Sequence, residues 1–555
     1  MLSTFTGLET ARRALMTQQK ALYTLGHNVA NANTQGYSRQ RVNFQTTEAY
    51  PSAGMNSPAI PGSMGTGVKA GSIQRVRDQF LDVQFRNENN KTGYWNSRYL
   101  AFEKMESILN EPSTDGLAAQ IESFWSAFQD LVMNPAESGE RSVIRETAKA
   151  LTETFNYLSD SLTQVQSDYQ NELEVNTKDL NSLLTQLNNV NKQIRDVEPH
   201  GYVPNDLYDE QDRLLDEISG YINISTERME SKGQPNSAAE GAVTLYFVDA
   251  NGTKHQLVNG ADHNDLQQLE IESDEDGHFV SMNFGTQSFS FEEMSNGALK
   301  GIVEALGYVT ESGEVKGTYP DMLAELDEMA WVFAERINQI HQIGFTLPDI
   351  NGEVHQGGLF FDFKPGAPDE TDPKKGAAAR LIVAENLNDS IDNIAAAGVN
   401  KEALVDKDEY ERLYKQALEA GNYEELIQFL GNDGNFKEGV PKAFPGDASN
   451  AALLADAKKM QLHFGTKIAT IGGFYQGLIG KMAVDTKEAG RMLANSANLL
   501  SSVDYNRQSV SNVSLDEELT LMIQYQHAYS AAARNITMVD EMLDTIINRM
   551  GLVGR

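Results

Sequence analysis

Residues 141–197 read RSVIRETAKALTETFNYLSDSLTQVQSDYQNELEVNTKDLNSLLTQLNNVNKQIRDV, with neither glycine nor proline. With no breaker and ~1.5 Å of rise per residue, the stretch predicts a single helix about 85 Å long. Its seam passes through Leu151, Phe155, Leu158, Leu162, Val165, Tyr169, Leu173, Asn176, Leu180, Leu183, Leu187, Val190, Ile194 and Val197, all apolar except Asn176. Steps of four and three alternate apart from consecutive fours around Tyr169, the pattern of a coiled-coil seam with one stutter. Glu198-Pro199-His200-Gly201 ends the run. Few enzymes need such a helix; it predicts the axis of a bundle in a mainly α fold.

Working outward, a short helix is expected over 115–133, stopped by Asn134-Pro135, and another over 206–219, with Asn205 or Asp206 as its N-cap. After Gly220 the period changes: Ile222, Ile224, then Val243, Leu245, Phe247, then Leu269 and Ile271 alternate with polar residues, as half-buried strands do. Residues 321–343 return to helical spacing through Leu323, Leu326, Ala330, Phe333, Ile337 and Ile340. A second excursion of loops and short apolar runs follows, and a helical pattern resumes from Asn450 to about Arg507.

The two chain ends carry long amphipathic helices. Near the start, Leu8, Leu15, Leu22 and Val29 recur every seven residues, and Asn28, Asn31, Asn33 and Gly36 then favour a turn, followed by a loop to about Gly71. At the other end the seam is Leu515, Leu519, Met522, Gln526, Tyr529, Ala533, Ile536, Asp540, Leu543, Ile547 and Met550, with Asp516, Glu517 and Glu518 in the first turn, where carboxylates suit the helix dipole. The whole is expected as terminal coiled-coil helices, a long-helix bundle body and nested β-containing outer domains. The expected division is 1–45 with 515–555 for assembly; 46–220 with 318–345 and 448–514 for the body; 221–317 for a β-rich excursion; and 346–447 for a mixed one. At ~150 residues per domain, the 555 residues accommodate this. Alone, the terminal seams bury nothing, so 1–40 and 515–555 are expected to order only in an assembly.

Composition excludes much. The chain has no cysteine, which removes disulfide scaffolds and thiol chemistry, and no apolar run long enough to cross a bilayer. With 45 Lys+Arg against 79 Asp+Glu, the net charge of −34 disfavours nucleic acid. Residues 1–47 run the other way, with Arg12, Arg13, Lys20, Arg39 and Arg41 against Glu9 alone. Gly62-Ser-Met-Gly65-Thr-Gly67 lacks the lysine of a phosphate loop, and the stretch ending Gly480-Lys481 has Tyr475 where the first glycine belongs, so it reads as a close helix-packing surface. Residues 272–277 (ESDEDG) resemble the opening of a calcium loop, but Asn283 stands at the twelfth position and the flanks alternate, so a hairpin turn is expected. Asp206, Asp209, Glu210, Asp212 and Asp216 read as a cap and a solvated face rather than a metal cluster, and His255 and His263 as exposed polar residues. No catalytic, cofactor or metal site is predicted.

Asn28-Val-Ala-Asn-Ala-Asn-Thr-Gln-Gly-Tyr37, which includes Asn31, Asn33, Thr34 and Gly36, resembles the N-x-A-N-x-x-T-x-G-Y signature of bacterial flagellar rod, hook and hook-associated proteins. The Ser38-Arg39-Gln40 extension, Gly67-Val68 through Arg75 and Asp78, residues 205–219 (NDLYDEQDRLLDEIS), residues 509–518 (SVSNVSLDEE), Tyr525-Gln-His-Ala-Tyr529, Ala531 to Arg534 and Asp540 to Asp544 narrow the resemblance to the hook-associated protein 1 family. Gln35 stands where the family commonly has proline, and Asn512 where it commonly has glycine.

The resemblance implies a structural, non-enzymatic protein of the flagellum, located outside the cell after type III export, joining hook to filament. Implied partners are the hook protein, a second hook–filament junction protein, copies of itself in a ring, and an export chaperone on the C-terminal helix, with no nucleic acid and no membrane insertion. The runner-up is an extracellular axial-type protein with an adhesive or enzymatic inserted domain.

Overall fold

The structure is a computed structural model that describes residues 5–51, 54–55, 62–110, 113–114, 116–349, 352–366 and 372–549. Its axis is the 60-residue helix α4 (Ser138–Val197). Every residue of the predicted seam is buried or half-buried, but against several partners rather than one. Near its start α4 packs on α3 (Leu117–Met133), and further along on α5 (Asn205–Tyr221), α6 (Ala298–Leu306) and α7 (Thr318–Gln342). Phe124, Trp125 and Phe128 of α3 meet Phe333 of α7 and Phe360 and Phe361 from the chain beyond it, with ring centroids 4.9–5.8 Å apart. Such edge-on pairs add to plain burial.

Beside this body lie two long helices, α2 (Gln79–Leu109) and the later Ile471–Ser511, packed along each other. Asp78 caps α2 by accepting from the Phe80 N–H at 2.9 Å. The other face of α2 crosses α5 and α6 through glycines: a Cβ on Gly93 would run into the Gly220 carbonyl, and one on Gly301 would lie 2.9 Å from the Tyr94 carbonyl.

The β-rich excursion contains a three-stranded antiparallel sheet, β3 (Ile224–Met229), β4 (Ala242–Val248) and β5 (Lys254–Val258), in that order. A second sheet has the order β10-β9-β7-β6, with β8 on β7; the ranges are β6 Leu269–Ser273, β7 Phe279–Phe284, β8 Gln287–Phe289, β9 Tyr308–Val309 and β10 Val315–Lys316. Their inward residues, Leu245, Phe247, Phe279 and Met282 among them, join the core of the helical body. Residues 274–277 make the hairpin turn between β6 and β7: Asp274 accepts the His278 N–H at 2.7 Å and pairs with its Nδ1 at 3.0 Å.

In the second excursion, β11 (Phe361–Phe363) and β12 (Leu381–Val383) pair and pack into the main core. Helices α8 (Lys407–Ala420) and α9 (Glu424–Gly431) form a separate cluster around Leu404, Tyr410, Leu413, Tyr423, Leu426 and Leu430, closed by Ile343.

Several expectations are corrected. The loop expected to Gly71 contains a hairpin, β1 (Gln40–Thr46) with β2 (Val68–Arg75), hidden because its inward positions are mostly polar. The run from Asn450 is interrupted: α10 (Ser449–Asp456) stops before the hairpin β13 (Leu462–Phe464) and β14 (Lys467–Ala469), and α11 (Ile471–Ser511) begins only then, capped by Thr470. Phe464 stacks on Phe474 with centroids 4.2 Å apart, which ties that hairpin to α11. A Cβ on Gly472, Gly477 or Gly480 would meet nothing within 4 Å, so these glycines do not make a close packing surface, whereas one on Gly490 would lie 3.1 Å from the Tyr99 ring. Asn205 is the first residue of α5, not its cap, and its amide donates to the Ile73 carbonyl at 3.1 Å. His255 is half-buried, 3.1 Å from Asp249 and edge-on to Phe289, and His263 is half-buried too.

With the body's long helical seams at 141–197, 321–343 and 450–507, the sequence predicts a body that closes without residues 346–447. Phe360 and Phe361 inside the aromatic core show that it does not. The separable part is smaller: the Asn400 N–H donates to the Lys442 carbonyl at 2.7 Å, so the chain ends flanking 401–441 already touch. Replacing 401–441 by a short linker should preserve cooperative thermal unfolding and helical circular dichroism. Removing 346–447 should abolish the cooperative transition, since it uncovers Phe124 and Phe333, and each large core aromatic lost costs about 3–5 kcal/mol.

Candidate assembly site at the chain termini

Helix α1 (Phe5–Ala30) and the C-terminal helix α12 (Leu515–Asp544) pack along each other. A Cβ on Gly7 would lie 3.7 Å from Val539, and Asn28 bonds Glu518, so the pair is antiparallel. Both helices are formed and paired in the single chain, which corrects the expectation that they order only in an assembly. The reason is polar. Asn28, fully buried at the end of α1, donates from Nδ2 to the Gln40 carbonyl and to Glu518 Oε2, both at 2.9 Å. Its Oδ1 accepts from the Tyr37 hydroxyl at 2.8 Å and from the Gln40 N–H at 3.0 Å. Every hydrogen-bonding position of one amide is thus used to bring the turn back onto the helix end.

The rest of the motif builds that turn. Asn31 Nδ2 donates to the His27 carbonyl at 3.1 Å, Thr34 Oγ1 donates to Asn31 Oδ1 at 3.2 Å, and the Tyr37 N–H reaches the Thr34 carbonyl at 3.2 Å. Gly36 sits at φ 80°, where a side chain would be strained. Tyr37 crosses His27 edge-on with centroids 5.6 Å apart; burial, together with Asp206, Asp209 and Glu518, pushes its phenol up. Asn33 and Gln35 are exposed at the tip. Arg39 completes the tie, with Nε 2.7 Å from Glu518 and Nη1 2.8 Å from Glu517, while its N–H reaches the Ser511 carbonyl at 2.8 Å. Asn512 has an extended backbone at φ −75°, so glycine is not needed there.

The turn is in turn bolted to the body. Asp209 of α5 accepts the Ser38 N–H at 3.0 Å and binds Arg75 at 2.8 Å. Arg75, at the end of β2, also reaches Asp212 at 2.9 Å and forks onto Glu240 at 2.6 and 3.0 Å. Asp212 is 1% exposed and collects Arg75, Arg77 at 3.4 Å, Arg86 at 3.1 Å and Arg228 at 3.4 Å. Burial pulls its carboxyl up, but Arg77, Arg75, Arg86 and Arg228 outweigh that and hold it well below the usual carboxylate range. For Asp209 burial wins over Arg75 and Ser38, and the carboxyl is raised. Arg86 continues to Asp216 at 2.9 Å, and Asp216 pairs with Arg507 of α11, whose guanidinium lies 3.8 Å over Phe85. The solvated-face reading is therefore corrected for Asp209 and Asp212, which are buried in ion pairs, while Asp206 is exposed.

The apolar seam falls differently from the sequence reading. Leu8, Leu15, Leu22 and Val29 are half-buried beside the packed face, whose buried members are Ala11, Thr17, Ala21, Thr24, Leu25 and Asn28. On α12 the buried residues are Glu518 and Ala532; Met522, Tyr529, Ile536 and Leu543 are half-buried flanks. Leu515, Leu519 and Ile547 face outward at 48, 49 and 70% exposure, and Met550 lies outside the described residues. The packed face is small and polar, which a search for leucine repeats passes over; alanine spacing was the signal that could have found it.

A flagellar hook-associated protein 1 of Bacillus subtilis strain 168 is 41% identical over 557 residues, spanning 100% of both chains. The chain belongs to the flagellar hook-associated protein 1 family. A second member, from Escherichia coli K12, is 24% identical over 98% of this chain and 99% of its own. The family model for the flagellar hook-associated protein FlgK helical domain matches residues 102–361. A model of flagella basal body rod proteins matches 8–37, and the flagellar basal body rod FlgEFG protein C-terminal model matches 506–550. Both terminal segments are therefore similar in sequence to the corresponding parts of flagellar rod proteins. The structure of the flagellar hook junction protein FlgK from Burkholderia pseudomallei has the same fold, with a TM-score of 0.56 at 15% identity over 77% of this chain and 100% of that one. As in the rest of the hook-associated protein 1 family, the protein is a structural component of the bacterial flagellum, mainly α with β-rich insertions. The names of these relatives lend nothing to an adhesive or enzymatic insert. No described helix is long and apolar enough to cross a membrane.

Asp212→Asn, which keeps the shape and removes the charge, should destabilise the protein by about 3–5 kcal/mol, because it leaves buried guanidiniums uncompensated. A carboxyl held below its unfolded value contributes in full above ~pH 3.9 and loses that contribution as pH falls further. Denaturant titrations should therefore show a constant gap between wild type and variant from pH 5 to 8, narrowing below about pH 4.

Proposed function

We propose that the protein joins the flagellar hook to the filament outside the cell, reaching its place by export in unfolded form through the flagellar type III apparatus. Full-length kinship with hook-associated protein 1 carries the reading. The neighbours are the hook protein on one side, a second hook–filament junction protein on the other, and copies of the chain itself around a ring. Before export a chaperone holds the C-terminal helix. The protein has no catalytic activity, and its parts divide the labour: residues 1–45 with 515–555 assemble; 46–220 with 318–345 and 448–514 form the body; and 221–317 is a β-rich excursion and 346–447 a mixed one, both anchored in the body's core.

The terminal pair suits this role because its polar tie sets its geometry while much of its apolar surface stays uncovered. Leu515, Leu519, Ile523, Met538 and Met542 are each about half exposed in the single chain. Such surface gains stability only when a neighbour covers it.

Cells lacking the protein should keep hooks and lose filaments, as seen by electron microscopy; normal filaments on such cells would reject the reading. Leu22→Asp and Leu543→Asp each put a charge on a half-buried flank of the pair, where covering it without a partner costs at least ~2 kcal/mol. Both variants should unfold at nearly the wild-type temperature yet restore few filaments. Full motility with both would show that these flanks take no part in assembly.

A further inference from the structure

We infer that Asn296-Gly297 is a self-modification site, at which the folded chain slowly converts its own asparagine carboxamide into a carboxylate. The sequence has four Asn-Gly pairs, at 251–252, 259–260, 296–297 and 351–352. In such a pair the glycine nitrogen can attack the asparagine Cγ, because no Cβ shields the nitrogen and a five-membered ring results. The nitrogen must first lose its proton, and a hydrogen bond on that N–H adds to the barrier.

The fold disarms three of the four. The Gly252 N–H donates to the Asp249 carbonyl at 3.1 Å, and the Gly352 N–H donates to the Asp349 carbonyl at 2.9 Å, although Asn351 itself lies outside the described residues. The Gly260 N–H donates to Thr244 Oγ1 at 3.0 Å. Asn259 is also held at both ends of its amide, by Asp265 and by the Ala261 N–H, each at 2.9 Å. The Gly297 N–H and the Asn296 carboxamide have no hydrogen-bond partner among the described residues, and Asn296 is exposed. Packing explains why glycine stands there: φ is 143°, and a Cβ would lie 2.3 Å from the Tyr221 carbonyl.

The surroundings favour the reaction. Asn296 lines a cleft of about 510 Å³ with Lys91 and Lys300. Lys91 pairs with Glu88 at 2.8 Å, but Lys300 donates to the Met294 carbonyl and forms no ion pair among the described residues. Asp249 lines the cleft too, yet its carboxylate is taken up by the Asn251 and Thr253 N–H groups and by His255. Helix α6 begins at Ala298 with no side-chain cap, so its positive end adds to the Lys300 charge. Water is the only co-reactant. The Gly297 N–H gives its proton to hydroxide, and the nitrogen bonds to Asn296 Cγ. The anionic tetrahedral adduct takes a proton from water as it expels ammonia, which restores the hydroxide and leaves a cyclic imide. Water then opens the ring at either carbonyl, giving aspartate or isoaspartate. Positive charge stabilises the anionic adduct, and it suits the product, a carboxylate before an uncapped helix and beside Lys300 in the cleft.

Folded full-length protein held at neutral and at mildly alkaline pH, digested with pepsin in acid and mapped by mass spectrometry, tests this. The peptide carrying Asn296 should gain one dalton and split into two chromatographic forms, several times faster than peptides carrying Asn251, Asn259 or Asn351, and faster at the higher pH. In denaturant the four pairs should convert at similar rates. Lys300→Gln, with wild-type circular dichroism, should slow the folded reaction severalfold and leave the rate in denaturant unchanged; an unchanged folded rate would remove Lys300 from the reaction. Conversion at Asn296 no faster than at the other three pairs in the folded protein, or equally selective in denaturant, would overturn the site.

Discussion

Asp212 is the point on which the architecture turns. One buried carboxylate within 3.5 Å of four guanidiniums gathers the end of β2, the entry to α2, the middle of α5 and the strand β3. None of those segments is strongly apolar at the point of contact, so hydrophobic burial alone would not fix their mutual register. Ionic pairing under exclusion of water does, because the penalty for separating the charges far exceeds the gain from forming them. The network reaches Ser38 through Asp209 and α11 through Asp216 and Arg507. It thereby decides where the terminal pair sits relative to the body.

A division of physical labour follows. The body rests on a continuous apolar core from the α3 and α7 aromatics to the two sheets. The terminal pair has little core of its own; its closest contacts are alanines and a fully satisfied amide. Apolar residues that would complete a core in an isolated bundle remain on its surface. A pair built this way keeps its shape through directional bonds and leaves its nondirectional attraction available to neighbours.

Much of this was legible in the residues, and the reasons differ for what was not. Helix α4 was plain because fifty-odd residues without a breaker, with a repeating seam, admit one reading. The hairpin β6–β7 followed from alternation around an acidic turn. Hairpin β1–β2 was not visible, since Gln40 to Thr46 carries Val42 as its only buried residue and its face is met by polar side chains and α1. Asp209 and Asp212 looked solvated because Arg75, Arg77 and Arg86 lie more than a hundred residues earlier in the chain, a distance no local pattern spans, and Arg228 comes from a strand beyond the helix. Phe360 and Phe361 lie among Gly/Pro-rich loops, and nothing nearby announces that they complete an aromatic core begun at Phe124.

The terminal motif combines both kinds of residue. Gly36 is readable, because a turn at positive φ tolerates little else. Asn28 is not, since asparagine near a helix end ordinarily means only that the helix stops, and its four bonds become apparent only when Glu518 arrives from the far end of the chain. That pairing explains why the two ends behave as one unit. Removing Glu518 would leave Asn28 with an unmet donor and Arg39 without its buried partner, so damage at either terminus disorders the same joint. The joint's own members come from α1, the turn, α5 and the start of α12. The β-rich excursion holds α5 in place beneath them, through Arg228 on Asp212 and Glu240 on Arg75, so the joint and the nearer excursion are fixed by one ionic network.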